Sequence, residues 1–238
     1  MRATQHGAPV PEVSVIIPTM NEEASIGAVL DEVLAAFRGR DIEIVIVDTD
    51  SRDRTRDIAT GKGARVVAEP RRGYGRAYKT GFAASRGTYL ATLDADSTYP
   101  GNRFPDLLLP LAEDRADFVS GDRISGLAAD AMSGMHRVGN EILNLAFRRL
   151  YGASIRDSQS GMWAFRRSIL PRLRLVHDGM AFSEELKLEV LRAGFRFLEI
   201  PIDYRPRVGT KKIRSTRDAT ENLIWLARKR VDWVPRTD

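Results

Sequence analysis

Short apolar segments alternate with amphipathic segments over the first half of the chain. The mainly apolar segments hold four to six residues each and predict strands at 13–18, 42–47, 64–67 and 89–93, with those at 42–47 and 89–93 buried. Between them, apolar residues recur every three or four positions and predict helices over 21–37, from 55 onwards, and over 74–85. Strands that alternate with helices form right-handed crossovers, so we predict an α/β fold with a mainly parallel sheet flanked by helices.

Polar and acidic residues follow three of these strands at the point where each strand ends. Asn21 and Glu22 follow the first strand, 48–53 (Asp-Thr-Asp-Ser-Arg-Asp) closes the second, and Asp94 and Asp96 follow the fourth. Ligands of open α/β sheets bind at the carboxyl ends of the strands, so neighbouring strands would bring the three clusters to one edge. Two carboxylates one residue apart suit Mg²⁺ or Mn²⁺ holding a phosphorylated substrate. The alternative is that these residues only cap helices or lie in solvated turns.

Glycine-rich nucleotide-binding loops are absent from the sequence. The turn after the first strand reads Pro-Thr-Met-Asn-Glu (18–22) and lacks the Gly-x-Gly-x-x-Gly pattern of dinucleotide-binding proteins. No Gly-x-x-x-x-Gly-Lys-Ser/Thr phosphate loop occurs either. A nucleotide at this edge would therefore be held through a metal ion and carboxylates.

Composition narrows the classes of site and partner. Hydrophobic residues make up 43% and charged residues 29% of the 238, as in soluble globular proteins. The lack of cysteine excludes disulfides, thiolate nucleophiles and Cys-ligated zinc, and three isolated histidines make a His-based metal site a poor candidate. The net charge of +5 permits anionic partners, but no basic run interleaved with aromatics indicates nucleic acid.

The N-terminal residues lack the apolar core of a signal peptide, and no apolar run approaches the ~20 residues that span a bilayer. We expect a cytoplasmic protein, either free or peripheral at the cytoplasmic membrane face. Two amphipathic stretches, 132–151 and the C-terminal residues, carry basic residues beside apolar ones. Each is either an interfacial helix or an ordinary helix packed on its own domain.

Eight segments resemble the inverting GT-A glycosyltransferases of family 2. Four of them resemble the donor half of that fold: VSVIIPTMNEE, VIVDTDSRDRT, GYGRAYKTGFAASRG and ATLDADSTYP. The other four resemble the acceptor half of the polyprenyl-phosphate sugar synthases, which dolichyl-phosphate mannose synthase typifies: SGDRISG, DSQSGMWAF, GMAFSEELKLEVLRAGFRFLEIPIDYRPR and VGTKKI. The resemblance predicts a tail at 1–11, a GT-A domain at 12–217 with its donor half at 12–100 and its acceptor half at 101–217, and an amphipathic helix at 218–238.

The resemblance implies a donor site for a nucleoside-diphosphate sugar and a divalent metal. Glu22 and Asp48 match residues that contact the nucleoside, and Asp94 and Asp96 match the metal motif, with Asp96 as the direct ligand and Asp94 near the ribose. Arg207 and Lys212 match basic residues that bind the donor diphosphate in the family. The remaining donor-binding positions implied are Pro18, Thr19, Asn21, Asp50, Gly73, Lys79 and Ala95. The family's usual Val-Asp-Asp-Gly-Ser has Thr49 and Asp50 in its third and fourth places here, so GDP-mannose and UDP-glucose donors both stay open.

The resemblance also implies an acceptor site. Arg123 and Arg137 match arginines that bind the acceptor phosphate, a task suited to the planar guanidinium fork. Asp157 and Ser160 match a motif that lines the acceptor side. A phosphate monoester, with a second pKa near ~6, is a competent nucleophile at neutral pH without a base. A hydroxyl acceptor would need one, and Asp157 and Glu185 are the candidates, although Glu185 also suits the first turn of a helix.

The resemblance implies a single displacement that inverts the anomeric carbon, with Asp96 among the catalytic residues as the metal ligand. Two other classes stay open. One is a transferase of the same fold that acts on a soluble small-molecule acceptor. The other is a non-catalytic nucleotide-sugar-binding protein, against which the intact Asp94, Asp96, Arg207 and Lys212 argue.

Overall fold

A seven-stranded sheet forms the centre of the molecule. The structure is a computed structural model that describes residues 10–125, 134–209 and 215–231. The strands run in the order β3-β2-β1-β4-β6-β5-β7, and β6 is antiparallel to both of its neighbours. The strands are β1 (Val13–Thr19), β2 (Ile42–Asp48), β3 (Arg65–Ala68), β4 (Tyr89–Thr92), β5 (Phe118–Asp122), β6 (Trp163–Arg166) and β7 (Phe197–Pro201).

Helices flank this sheet and complete the predicted α/β architecture, which is confirmed. The helices are α1 (Ile26–Ala36), α2 (Thr55–Gly61), α3 (Tyr74–Ala84), α4 (Phe104–Ala112), α5 (Gly134–Tyr151), α6 (Phe182–Arg192) and α7 (Ser215–Val231). The four predicted strands match β1 to β4 within one residue at each end. Their agreement follows from the apolar periodicity, because a strand covered on both faces must be apolar throughout.

Strand β1 shows how the two layers are packed. Val13, Val15 and Ile17 point to the side covered by α1 and α4, whereas Ile16 points to the side covered by α3 and α6. Helix α3 lies so close to the sheet that a Cβ atom on Gly81 would stand 2.4 Å from a methyl of Ile16. Glycine at this position lets the helix approach the sheet and fixes its first turn beside the carboxyl ends of the strands.

Helix α1 begins later than predicted, at Ile26 instead of near Asn21. Asn21 has a backbone φ of +53°, which is the left-handed region, and its N–H donates to the Ser51 hydroxyl at 2.9 Å. The next two amides donate to side chains of the β2–α2 loop, those of Thr55 and Asp53. The polar segment after β1 is therefore tied to the β2–α2 loop and to the start of α2, and α1 begins only after it.

Helices α5 and α7 pack together at one end of the molecule. Leu143, Phe147 and Leu226 form a small core there with Leu188 of α6. Most apolar side chains of α7 are turned into this core, so the described part of α7 is packed on its own domain. Met132 and Trp233 of the two predicted amphipathic stretches lie outside the described residues. Within the described ranges, no helix is both long and apolar enough to cross a membrane.

Candidate active site

The three acidic clusters meet at one edge of the sheet because β2, β1 and β4 are parallel neighbours. Thr19 and Asp48, the last residues of β1 and β2, stand side by side in register. The Thr19 hydroxyl donates to the Asp48 carboxylate at 3.0 Å, and that carboxylate also accepts the N–H of Ser51 at 3.0 Å. Asp48 is buried, so these donors replace the water that it would otherwise bind.

Glu22 is buried beside this pair, with its own N–H bonded to the Thr55 hydroxyl at 2.7 Å. Pro18 and Thr19 lie within β1, and Asn21 accepts the N–H of Arg52 at 2.8 Å through its side-chain oxygen. These hydrogen bonds hold the loop after β1 and the loop after β2 together as one rigid unit. Asp50 lies exposed in the loop after β2 with a φ of +53°.

Asp94 and Asp96 follow β4, the neighbour of β1 on the other side. Asp96 is buried, and one of its oxygens accepts the N–H and hydroxyl of Thr98 at 3.1 and 2.6 Å. Its second oxygen pairs with the Arg207 guanidinium at 2.5 Å. Burial and the charge of Asp96 raise the pKa of Asp94 to about 7. Ala95 points into the core between them.

The segment 202–209 crosses this edge of the sheet. Its backbone pairs with the segment after β4 through the N–H of Val208 to the carbonyl of Asp96 at 2.9 Å, and through the N–H of Arg205 to the carbonyl of Thr98 at 3.0 Å. A Cβ atom on Gly209 would stand 3.7 Å from a carboxylate oxygen of Glu22. The segment therefore covers the space between the Glu22 and Asp96 carboxylates and brings Arg207 into that space.

Arg123 and Asp157 form a buried, bidentate ion pair next to Asp94. The two guanidinium–carboxylate distances are 2.7 and 2.8 Å, and the backbone N–H of Arg123 also donates to Asp157 at 3.0 Å. Burial alone would raise the pKa of Asp157, but the charge and hydrogen bonds of Arg123 outweigh it and the pKa is lowered. Arg123 also lies over the ring of Tyr204, with 5.2 Å to the centroid, and its charge acts on Asp94.

The loop 156–161 presents Asp157 and is anchored from beneath. Glu199 of β7 accepts the N–H of Asp157 at 2.9 Å. The ammonium of Lys187 donates to the carbonyls of Asp157 and Ser160 at 2.7 and 3.0 Å. Gln159 donates from its side-chain amide to Glu184 at 2.5 Å. Ser160, predicted on the acceptor side, is buried in this loop.

Tyrosines close the space between the loop and Asp94. Tyr78 donates to Asp94 at 3.4 Å, and the Tyr99 hydroxyl accepts the N–H of Gly161 at 2.7 Å. A Cβ atom on Gly161 would stand 2.3 Å from the Tyr74 hydroxyl and 3.5 Å from Asp94. Glycine is thus favoured by the close approach of the loop to the Tyr74 hydroxyl, and not by backbone conformation.

Four of the predicted site residues lie apart from this cluster or cannot be placed. Lys79 binds the carbonyl of Val176 and the carboxylate of Asp178, since it lies on a different face of α3 from Tyr78. Glu185 accepts the N–H groups of Val176 and His177 at 3.0 and 2.8 Å. Arg137 lies exposed in α5, with no described contact to the carboxylate edge. Lys212 lies outside the described residues.

Gly73 stands at the start of α3, where a Cβ atom would meet the carbonyl of Asp178 at 2.5 Å. The structure therefore places Gly73, Lys79 and Glu185 around one surface segment, 176–178. Periodicity did not reveal this arrangement, because the segment has no regular structure of its own. Its polar partners are set by tertiary packing alone.

Lys187, Glu184 and the tyrosines belong to the site although no sequence motif marks them. Lys187 and Glu184 occur in α6, where polar and apolar residues are mixed, and both are fully buried. A lysine between two leucines was the available signal, since charged residues are rarely buried without partners. The tyrosines gave no such signal because aromatic residues are common in any core.

The donor set fits a divalent cation bound together with a phosphorylated ligand. Mg²⁺ is usually held by one or two carboxylates plus substrate phosphates and water, which matches Asp94 and Asp96. Within the described ranges, no group of three or more His, Cys, Asp or Glu side chains could hold a metal alone. Arg207 now neutralises Asp96, so a cation and Arg207 would compete for the same oxygen.

Buried acids give the protein a pH-dependent stability. Burial raises the pKa of Glu184 to about 8, above the ~4.3 of an unfolded chain, and Asp94 shifts in the same direction. Between pH 5 and 7 the folded state retains protons that the unfolded state has lost, so the free energy of unfolding falls as pH rises. Glu184→Gln should reduce this slope by up to ~1.4 kcal/mol per pH unit, measured by urea unfolding across this range.

Asp114→Asn is the matched control for this measurement. Hydrogen bonds to Arg196 lower the pKa of Asp114, so its titration lies below the window and the slope between pH 5 and 7 should persist. A slope in Glu184→Gln equal to that of the wild type would contradict a protonated Glu184.

Comparison with known proteins identifies the family. The family model for glycosyl transferase family 2 matches residues 14–174. A dolichyl-phosphate hexose transferase of Haloferax volcanii is 37% identical over 206 residues, which is 85% of this chain and 86% of the relative. The low-salt glycan biosynthesis hexosyltransferase Agl6 of the same organism is 37% identical over 91% of this chain, which spans only 53% of that relative.

A solved structure shares the fold. The crystal structure of glucosyl-3-phosphoglycerate synthase from Mycobacterium tuberculosis, in complex with Mn²⁺, UDP and glucosyl-3-phosphoglycerate, superposes with a TM-score of 0.75 at 23% identity. The superposition covers 95% of this chain and 82% of the synthase. The likeness supports a GT-A-like architecture, and the sequence match carries the assignment. The chain belongs to glycosyl transferase family 2.

Proposed function

We propose that this protein is a metal-dependent, inverting hexosyltransferase that moves a sugar from a nucleoside diphosphate to a polyprenyl phosphate. The observation that carries the proposal is the buried Arg123, held beside the Asp94–Asp96 edge by its pair with Asp157. A fixed guanidinium next to a carboxylate pair suits a reaction in which one phosphate is the acceptor and another belongs to the leaving group.

The donor would lie across the ends of β1, β2 and β4. Glu22 and Asp48 are the polar groups available to its nucleoside. Asp94 and Asp96 would hold Mg²⁺ or Mn²⁺, which when bound neutralises charge on the diphosphate leaving group. Arg207 is placed to leave Asp96 and pair with the diphosphate, since the segment 202–209 that carries it crosses over Asp96. This exchange of partners would close the segment over the donor and exclude water.

The acceptor side favours a phosphate over a hydroxyl. Two of the five N–H donors of Arg123 bind Asp157, which leaves up to three for a ligand. Asp157 is engaged by Arg123, and its lowered pKa makes it a weak base. A hydroxyl acceptor would need such a base, whereas a phosphate dianion is already nucleophilic at neutral pH. In-line attack from the face opposite the leaving group would invert the anomeric carbon.

The relatives support a lipid phosphate as acceptor. One is named a dolichyl-phosphate hexose transferase, and another is an undecaprenyl-phosphate 4-deoxy-4-formamido-L-arabinose transferase of Pseudomonas paraeruginosa. The second candidate function is transfer to a soluble phosphorylated acceptor. It is favoured by the structural neighbour that was solved with phosphoglyceric acid.

A lipid acceptor requires contact with a membrane surface, and α5 offers a face for it. Val138, Ile142 and Leu145 are between 48% and 61% exposed and follow one another on one side of the helix, opposite Leu143 and Phe147. Arg148 and Arg149 close the helix and could meet anionic head groups. We propose that this face lies against the membrane.

The donor site predicts a metal-dependent gain in thermal stability with one nucleoside diphosphate. Asp96→Asn should abolish the Mn²⁺-dependent part of the shift that UDP or GDP causes. Arg207→Gln should bind Mn²⁺ alone more tightly, because the competing cation is gone, yet bind the nucleotide about tenfold more weakly. Arg205→Gln, on the same segment but paired with Glu32, is the control. No shift with any nucleotide would refute the donor site.

The acceptor site predicts transfer of labelled sugar to farnesyl phosphate but not to farnesol. Arg123→Lys keeps the charge beside Asp157 but loses the bidentate fork, so the rate should fall about tenfold or more while nucleotide binding is retained. Arg137→Gln tests the second predicted arginine in the same assay. Transfer to 3-phosphoglycerate with none to farnesyl phosphate would favour the soluble acceptor instead.

The α5 face predicts binding to vesicles that contain phosphatidylglycerol. Val138→Ser with Ile142→Ser should weaken binding to these vesicles by roughly a hundredfold, read out as loss of co-flotation, because removing two aliphatic groups from the interface costs roughly 3 kcal/mol. Leu34→Ser with Leu109→Ser removes comparable exposed side chains from other helices and should not change flotation. Equal flotation of the two double variants would contradict a membrane role for α5.

A further inference from the structure

Lys187 is a buried cation that the proposed chemistry does not use. It lies in the middle of α6, between Leu186 and Leu188, and its side chain has no exposed surface. Burying an ammonium group costs several kcal/mol unless partners compensate for the lost water. A leucine or methionine would fill a similar volume without that cost. The role of Lys187 must therefore come from the contacts of its amine.

The partners of the amine are two backbone carbonyls of one loop. Its Nζ donates to the carbonyl of Asp157 at 2.7 Å and to that of Ser160 at 3.0 Å. The Ser160 carbonyl also accepts the indole N–H of Trp163 at 2.6 Å. The loop 156–161 is therefore pinned near both of its ends by buried side chains.

The charges around the amine balance. Asp157 and Glu199 lie near it and compensate its charge and that of Arg123. Glu184, one turn earlier in α6, binds Gln159 of the same loop. Two cations, Lys187 and Arg123, thus lie near two hydrogen-bonded carboxylates, Asp157 and Glu199. This balance stabilises the Lys187 ammonium without a direct ion pair.

We infer that Lys187 is a positioning residue for the acceptor, which it serves by fixing the loop 156–161. Asp157 is held at three points: its N–H by Glu199, its carbonyl by Lys187, and its carboxylate by Arg123. A shift of the Asp157 backbone moves its carboxylate, and the bidentate fork carries the Arg123 guanidinium with it. The inference rests on the proposed function in that Arg123 is taken as the ligand of the acceptor phosphate.

The test compares Lys187→Met with Lys229→Met. Lys229 is also mostly buried, but it contacts the carboxylates of Glu189 and Glu185 and no atom of the loop is among its described contacts. Lys187→Met should raise KM for farnesyl phosphate about tenfold, which is ~1.4 kcal/mol, with KM for the sugar nucleotide unchanged. It should also speed hydrogen exchange in the peptide that covers 156–163. Lys229→Met should change neither quantity.

Each result decides the inference. Wild-type exchange in the loop of Lys187→Met would overturn it, and so would faster exchange with an unchanged KM for farnesyl phosphate. If Lys187→Met does not fold, Lys187→Gln, which retains a shorter N–H donor, takes its place with the same two readouts. A wild-type enzyme that glycosylates no polyprenyl phosphate would refute the proposed function, and the exchange experiment would still decide whether Lys187 fixes the loop.

Discussion

The rest of the acceptor half depends on the Arg123–Asp157 ion pair, in which each charge compensates the other at a depth where water cannot. Asp157 is fully buried and Arg123 nearly so, which makes the loss of either partner far more costly than the pair is stabilising. The surrounding groups supply the hydrogen bonds that the pair cannot supply for itself. Glu199 and Lys187 hold the Asp157 backbone, and Tyr204 covers the guanidinium.

This requirement explains why so much of the acceptor half is polar inside. A loop with no regular structure cannot satisfy its own buried backbone groups, so side chains from β7, α5 and α6 reach in to do so. Asn144 of α5, for example, accepts both the N–H and the hydroxyl of Ser158. The same contacts also orient the residues near Asp94. The hydrogen bonds that satisfy the buried loop backbone therefore also fix the geometry of the site.

The donor half follows a different logic. There the parallel register of β1, β2 and β4 brings three strand ends together, and the Thr19 hydroxyl donates to Asp48 across two of them. The loops then stiffen one another through hydrogen bonds, such as that from the Asn21 N–H to the Ser51 hydroxyl. Arg207 is the exception, since it reaches Asp96 from a distant segment and links the crossing segment to the metal motif.

The sequence by itself determined the first four strands, their alternation with helices, and the acidic ends of β1, β2 and β4. Those features are local: they depend on periodicity and on which residues end a strand. It also placed Arg207 and Arg123 among the site candidates, through resemblance to a family. Only the tertiary structure decided that Arg123 pairs with Asp157, that Lys187 faces the loop, and that Lys79 and Glu185 turn to the segment 176–178. The direction of a buried charge depends on the partners that packing brings within reach, and helical spacing does not encode those partners.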